Sequence, residues 1–190
     1  MTTAAPTLKW IALRTLLWLP ICLSIWYFSA HYHTAIAASL AHLMIDWYQP
    51  IIVTSLEQSG TSLEFVTTLK VQSDTGRIGL LVPEVNPLLY TYGLAFFVAL
   101  MLAANSEWWK ILLGAVILLP FQSWGIALDL LVQVGLKISP DVARQAGILG
   151  WHREAIALGY QIGNLIFPTL IPVILWVSFN RSLIEGLLRK

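Results

Sequence analysis

VNPLLYTYGLAFFVALMLA, residues 85–103, is the stretch of sequence that decides the fold. A more polar, β-patterned segment ends just before it. An apolar run begins at Pro87, and it is long enough to cross the hydrocarbon core of a bilayer as a helix. Asn86, Tyr90 and Tyr92 place polar groups at the mouth of this run. We therefore expect a lobe outside the membrane to meet a helix bundle here, with the functional residues near the junction.

The composition is that of an integral membrane protein. Of 190 residues, 57% are hydrophobic and only 11% are charged, whereas a soluble domain has about 25% charged residues. The lipid bilayer is therefore the first predicted partner, and a net charge of +1 gives no reason to expect nucleic acid. The single cysteine, Cys22, excludes an intrachain disulfide and is interpreted as a small buried hydrophobe.

Apolar stretches predict four transmembrane helices, at residues 10–30, 87–103, 108–134 and 154–179. We interpret the first as an uncleaved span, because it is long for a signal peptide and contains Pro20. The amphipathic residues 31–48 should continue that helix or lie at the membrane interface.

Residues 51–83 change period and predict a small β-meander between the first and second spans. β-branched residues are frequent there, and turn residues separate three short runs. Open sheet edges are not tolerated in lipid, so this lobe should lie outside the hydrocarbon region. The predicted fold is thus mainly α, with four transmembrane helices and a small extracytoplasmic β-meander, in a single membrane domain over residues 1–190.

The charges flanking the first helix predict the orientation. Four spans place both termini on one side, and Lys9 and Arg14 favour the cytoplasm for that side. The β-patterned lobe and the loop that precedes His152 then share the extracytoplasmic face.

Polar residues near the extracytoplasmic ends of the spans are the interaction candidates. They are Asn86, Tyr90, Asp129, His152, Gln161 and Asn164. An ionisable group near hydrocarbon is costly and often functional, which draws attention to the aspartate. The alternative is that it lies at the interface, solvated or paired with Lys137 or Arg144.

The other candidates also have two interpretations. His152 is suited to acid–base chemistry at neutral pH, or it belongs to a polar cluster that caps the last span. Gln161 and Asn164 share a helical face. Side-chain amides commonly bind membrane helices to one another, and that interpretation is favoured over ligand binding.

The sequence predicts no metal site and no cofactor. His31, His33 and His42 are the histidines nearest to one another, but spacing i, i+2 points the first two to different helical faces. No nearby cysteine or glutamate completes a coordination shell.

Three segments carry a resemblance to a known family. The chain resembles the exosortase H-associated membrane proteins in EVNPLLYTYGLAFFVALMLA, WWKILLGAVILLPFQSWGIALDLL and HREAIALGYQIGNLIFPTLIPVILW. The N-terminal RTLLWLPICLSIWYF, with the β-patterned segment after it, also looks like that group, so the resemblance covers residues 13–176. The layout is also similar to that of the exosortases and archaeosortases, membrane transpeptidases that are expected to use a Cys, an Arg and a His at the ends of three spans. In this chain Asn86 and Pro87 stand where the Cys is expected, and the end of the third span has no Arg. His152 alone has a counterpart.

The resemblance implies a non-catalytic accessory membrane protein of a protein-sorting system. Such a protein is expected in the inner membrane of Gram-negative bacteria, and its partners would be an exosortase-type enzyme and its sorted substrates. One alternative is a divergent membrane transpeptidase or protease that uses His152 and Asp129. Another is an envelope-assembly protein or a small transport component.

Overall fold

The fold is mainly helical. A computed structural model describes residues 8–50, 52–72 and 76–188. Its helices are α1 (Leu8–Tyr48), α2 (Leu88–Thr91), α3 (Gly93–Ala103), α4 (Trp108–Val132), α5 (Pro140–Gln145), α6 (Trp151–Gln161), α7 (Phe167–Phe179) and α8 (Arg181–Leu188). Two π-helical segments, Gln133–Lys137 and Ile162–Ile166, follow α4 and join α6 to α7.

Within the described residues, three helical runs are long and apolar enough to cross a membrane. They are Leu8–Tyr48, Trp108–Lys137 and Trp151–Phe179, and they contain the predicted first, third and fourth spans. The predicted second span corresponds to the shorter apolar helix Leu88–Ala103. At about 1.5 Å per residue it covers roughly 24 Å, less than the hydrocarbon thickness. The count of four spans therefore stays a prediction.

Helix α1 continues without interruption through the amphipathic segment that follows the first predicted span. It has 41 residues, or about 60 Å of length. Of the two predicted alternatives, continuation of the span is the one that matches the structure. Ala37, Ala38 and Ala41 are fully buried on its inner face. Small side chains let helix backbones approach closely, so α1 packs directly on its neighbours α3 and α4.

Five short strands form the sheet lobe. They are β1 (Val53–Ser59), β2 (Ser62–Thr67), β3 (Lys70–Gln72), β4 (Ile78–Leu80) and β5 (Glu84–Val85). β2 lies between β1 and β5 in one antiparallel sheet, and β3 pairs with β4 in a second.

The two sheets are parts of one bent ladder. The Leu81 carbonyl accepts a hydrogen bond from Thr67 N at 3.1 Å, and Leu81 N donates to the Leu69 carbonyl at 2.9 Å. These bonds bridge the gap between β2 and β3 on one side and between β4 and β5 on the other. The predicted second run is thus broken into β2 and β3, the third run contains β4, and β5 begins one residue beyond the predicted end of the meander at residue 83.

The sheet lobe and the helices share one buried cluster. Leu63, Phe65 and Val85 of the lobe are fully buried in the same cluster as Ile45 of α1 and Ile126 of α4. The lobe is therefore held on the bundle by apolar packing as well as by its chain connections.

Candidate functional site

Asp129 is buried at the end of α4, where it faces polar groups from three parts of the chain. Asp129 is 7% exposed. Oδ1 lies 3.9 Å from Lys137 Nζ and 3.5 Å from Gln133 Nε2. Gln133 Nε2 also donates to the Glu84 carbonyl at 2.9 Å. The structure thus pairs the aspartate with Lys137, one of the predicted alternatives, and the glutamine ties α4 to β5.

Tyr90 lies beside the same carboxylate. It is 1% exposed, and its buried hydroxyl makes no hydrogen bond within the described residues, although Asp129 and Tyr160 are close enough to interact with it electrostatically. Lys137 Nζ lies 5.4 Å from the centroid of the Tyr160 ring. We call Tyr90, Asp129, Gln133, Lys137 and Tyr160 the Asp129 cluster.

The cluster corresponds in part to the predicted site. Tyr90 and Asp129 were both candidates, and the structure brings them together beneath the sheet lobe. Their role in binding a partner stays a prediction.

Asn86 has a local role at the start of α2. Its side chain is exposed, and Oδ1 accepts a hydrogen bond from Leu88 N at 3.1 Å. The N-cap of α2 is Pro87, without a side-chain cap hydrogen bond, so the Asn86 contact is an Asx turn that leads into the helix.

His152 belongs to a different group of residues. Its Nδ1 lies 2.7 Å from Tyr48 Oη at the end of α1, and its ring is 4.2 Å from that of Trp151, centroid to centroid. Among the described residues, no hydrogen bond, ion pair or ring contact joins His152 to the Asp129 cluster. The structure thus divides the predicted polar constellation into two separate groups.

A half-open apolar cavity adjoins the His152–Tyr48 pair. It lies between α1, α4 and α6 and has a volume of about 430 Å³. We call it the His152 groove, and its lining includes Ile45, Tyr48, Trp124, Leu128, Trp151 and His152. No sequence pattern indicates this groove, because it depends on the pairing of His152 with Tyr48, which lies 104 positions away in the chain.

Gln161 and Asn164 lie outside both groups. Gln161 is exposed and Asn164 half-buried at the change from α6 to the π-helical segment. The contact of this region with α4 is made by glycines instead. A Cβ at Gly163 would lie 3.2 Å from Gly125 Cα, and Trp124 Nε1 donates to the Gly159 carbonyl at 3.1 Å. The helices thus meet here through Gly159 and Gly163, and the role of the two amides stays a prediction.

A polar contact inside the bundle joins α1 to α4. His33 Nε2 of α1 lies 2.6 Å from Gln122 Oε1 of α4. Histidine and amide side chains bind membrane helices together in this way. Within the residues that the structure describes, no group of three or more His, Cys, Asp or Glu side chains is arranged to hold a metal ion.

The ion pair of Asp129 is expected to contribute little to stability. Lys137→Met should lower the free energy of unfolding by less than about 1 kcal/mol, because the lysine side chain is 55% exposed and the atoms are 3.9 Å apart. Titration of the detergent-solubilised protein with SDS measures the change. Arg144→Met, which removes an exposed pair with Asp141, is the matched control. A loss of 3 kcal/mol or more for Lys137→Met would show instead that the pair is desolvated.

Three long apolar helices, a shorter apolar helix and a small sheet lobe packed on them define an integral membrane protein of mainly helical fold. Residues 5–183 match the exosortase H-associated membrane proteins, and the chain belongs to that family. The resemblance found in the three sequence segments is thereby confirmed. The family name links the chain to an exosortase system. No curated protein and no solved structure matches the chain.

Proposed function

We propose that the protein is a non-catalytic accessory subunit of an exosortase-type protein-sorting system. It resides in the inner membrane of Gram-negative bacteria with four spans and cytoplasmic termini. The sheet lobe and the neighbouring polar groups face the extracytoplasmic side, where they hold the sorting enzyme or its substrate. Membership of the exosortase H-associated family is the general support for this role.

The observation that carries the contact role is an apolar face on the outer strand of the lobe. Ile78 and Leu80 of β4 and Val82, two residues beyond the strand, are 71%, 58% and 44% exposed. Alternate residues of a strand lie on one face, which places Ile78 and Leu80 together. Exposed apolar residues grouped in this way typically mark a surface for another protein.

The backbone of β4 adds a second means of contact. Among the described residues β4 pairs with β3 alone, so its other edge has unpaired N–H and C=O groups. An extended segment can add to such an edge through main-chain hydrogen bonds, while the side chains of alternate residues supply specificity. The lobe therefore offers a strand edge and an apolar face at the same place.

The arrangement of the polar groups favours contact over catalysis. Covalent acyl transfer requires a nucleophile within hydrogen-bond reach of a base. Asp129 is engaged with Lys137 and Gln133, and His152 with Tyr48. Each group thus has a structural partner of its own, which supports the accessory role over a transpeptidase that uses both.

Co-purification with an exosortase-type enzyme tests the proposal. The two proteins are co-expressed, solubilised in several mild detergents and captured through a tag on the enzyme. We expect Leu80→Glu to reduce the recovered accessory protein about tenfold, since the loss of about 1.4 kcal/mol of contact energy has that effect. Ser55→Glu, at an exposed position of β1, is the matched control and should leave recovery unchanged.

Two results would contradict the proposal. The first is failure of the unaltered protein to associate with the enzyme in any of the detergents. The second is loss of substrate processing by His152→Ala while association is retained, which would favour the enzymatic alternative. Equal recovery of Leu80→Glu and Ser55→Glu would place the contact elsewhere than on β4.

A further inference from the structure

The His152 groove opens between helices that are apolar enough to lie in a membrane. It is formed by α1, α4 and α6, each part of one of the three long apolar runs. Trp47 and Trp151 at its rim are 89% and 69% exposed, and tryptophans with this exposure are typical of the membrane–water interface. The groove is therefore continuous with surface that lipid covers, and an apolar cavity of this kind does not favour water.

The dimensions of the groove favour a thin ligand. Its lining on α4 extends from Trp124 to Leu131, about 10 Å along the helix axis. A helix about 10 Å in diameter would meet a groove of this length over about two turns only, whereas a hydrocarbon chain of the surrounding lipid is thinner and can enter it.

The polar pair supplies a donor beside this apolar space. When the Tyr48 hydroxyl donates to His152 Nδ1, at 2.7 Å, the hydrogen of the imidazole is on Nε2. Nε2–H is then a donor for an oxyanion such as a phosphate. Arg153 and Glu154 follow and are both exposed, so their opposite charges favour neither anionic nor zwitterionic headgroups.

We infer that the His152 groove binds one acyl chain of a membrane phospholipid, whose phosphate accepts a hydrogen bond from His152. The site does not depend on the proposed function, because it requires no protein partner. A bound lipid fills the space between α1, α4 and α6, where the described protein atoms leave a gap.

Binding of spin-labelled lipids to the purified protein tests the inference. The protein is reconstituted in phosphatidylcholine vesicles that contain trace spin-labelled phosphatidylcholine, phosphatidylglycerol or diacylglycerol, and the immobilised fraction is measured. Ala155 lines the groove and is exposed, so Ala155→Phe should fill it without disturbing the core. We expect this variant to reduce the long-lived immobilised phospholipid at least fivefold. Leu158→Phe, at a position of α6 that is 59% exposed and outside the groove lining, is the control and should bind as the unaltered protein does.

A second variant examines the phosphate contact. His152→Ala should weaken the binding of both phospholipids to a similar extent. It should leave the binding of diacylglycerol, which has no phosphate, unchanged. Unfolding midpoints of all variants are measured alongside, so that loss of fold is not mistaken for loss of binding. Equal lipid immobilisation by Ala155→Phe and Leu158→Phe would overturn the inference. The inference would also be overturned if Ala155→Phe no longer co-purified with a protein that accompanies the unaltered chain while its lipid binding was unchanged. The groove would then be a protein contact.

Discussion

Phe65→Ala will lower the free energy of unfolding by about 3–5 kcal/mol, the usual range for removing a buried aromatic ring. Phe65 is fully buried. It lies on β2, in the cluster that also contains Ile45 of α1 and Ile126 of α4. Its removal leaves a cavity at the place where the sheet lobe meets the helices. SDS titration of the solubilised protein, followed by tryptophan fluorescence, measures the loss.

Leu80→Ala is the control for this prediction. Leu80 belongs to the same lobe but is 58% exposed, so its truncation should change the free energy of unfolding by less than about 0.5 kcal/mol. If Phe65→Ala were as mild as Leu80→Ala, the lobe would not share a core with the helices. Amide hydrogen exchange of β1 and β2 gives a second measure, because a loosened lobe exchanges faster than α4.

The architecture was predictable where the signal is long and local. Apolar runs and the change of period after Pro50 are properties of consecutive residues, and they predicted the three long helices and the sheet between α1 and α2. The continuation of α1 to Tyr48 was one of two alternatives, because an amphipathic segment fits both a buried and an interfacial helix. Tertiary packing on its alanine face decides between them.

The candidate site was predictable only where chain order determines proximity. Asn86, Asp129, Tyr160 and His152 were expected at one level because consecutive spans are antiparallel; the structure places Asp129 near Tyr90 and Tyr160 and His152 in a separate group. The pairing of His152 with Tyr48 depends on which faces of two distant helices meet, and no local pattern encodes that choice.

The two amides of the last long helix, Gln161 and Asn164, were predicted to share one face because of the spacing of a regular α-helix. The π-helical segment Ile162–Ile166 begins directly after Gln161. A wider turn changes the angle between successive side chains, so the expected face is not maintained. π-Helical turns often occur at functional sites, but their position is not readable from apolar periodicity alone.

Among glycine-to-alanine substitutions, the largest loss of stability is expected at Gly93, where α3 begins in contact with α7. Gly93→Ala should lower the free energy of unfolding by about 1–3 kcal/mol, as overpacking of a close contact does. The added Cβ would lie 2.5 Å from the Pro168 carbonyl oxygen and 3.0 Å from Pro168 Cα. Both are backbone atoms, so no rotation of a side chain can relieve the clash. The helices must separate, and the contact between α3 and α7 is weakened.

Variants of two other glycines test whether the clash with the Pro168 backbone causes the loss of stability. A Cβ at Gly186 in α8 meets nothing within 4 Å, so Gly186→Ala should be neutral or stabilise by about 0.5–1 kcal/mol through helix propensity. At Gly114 the added Cβ meets the ring of Phe97, whose side chain can move, so Gly114→Ala should be relieved by the double variant with Phe97→Leu. No such relief by a side-chain change is available to Gly93→Ala. A methyl group at Gly93 cannot be accommodated without moving α3 away from α7. If Gly93→Ala unfolded at the same SDS concentration as Gly186→Ala, the Pro168 backbone would therefore not lie this close to Gly93.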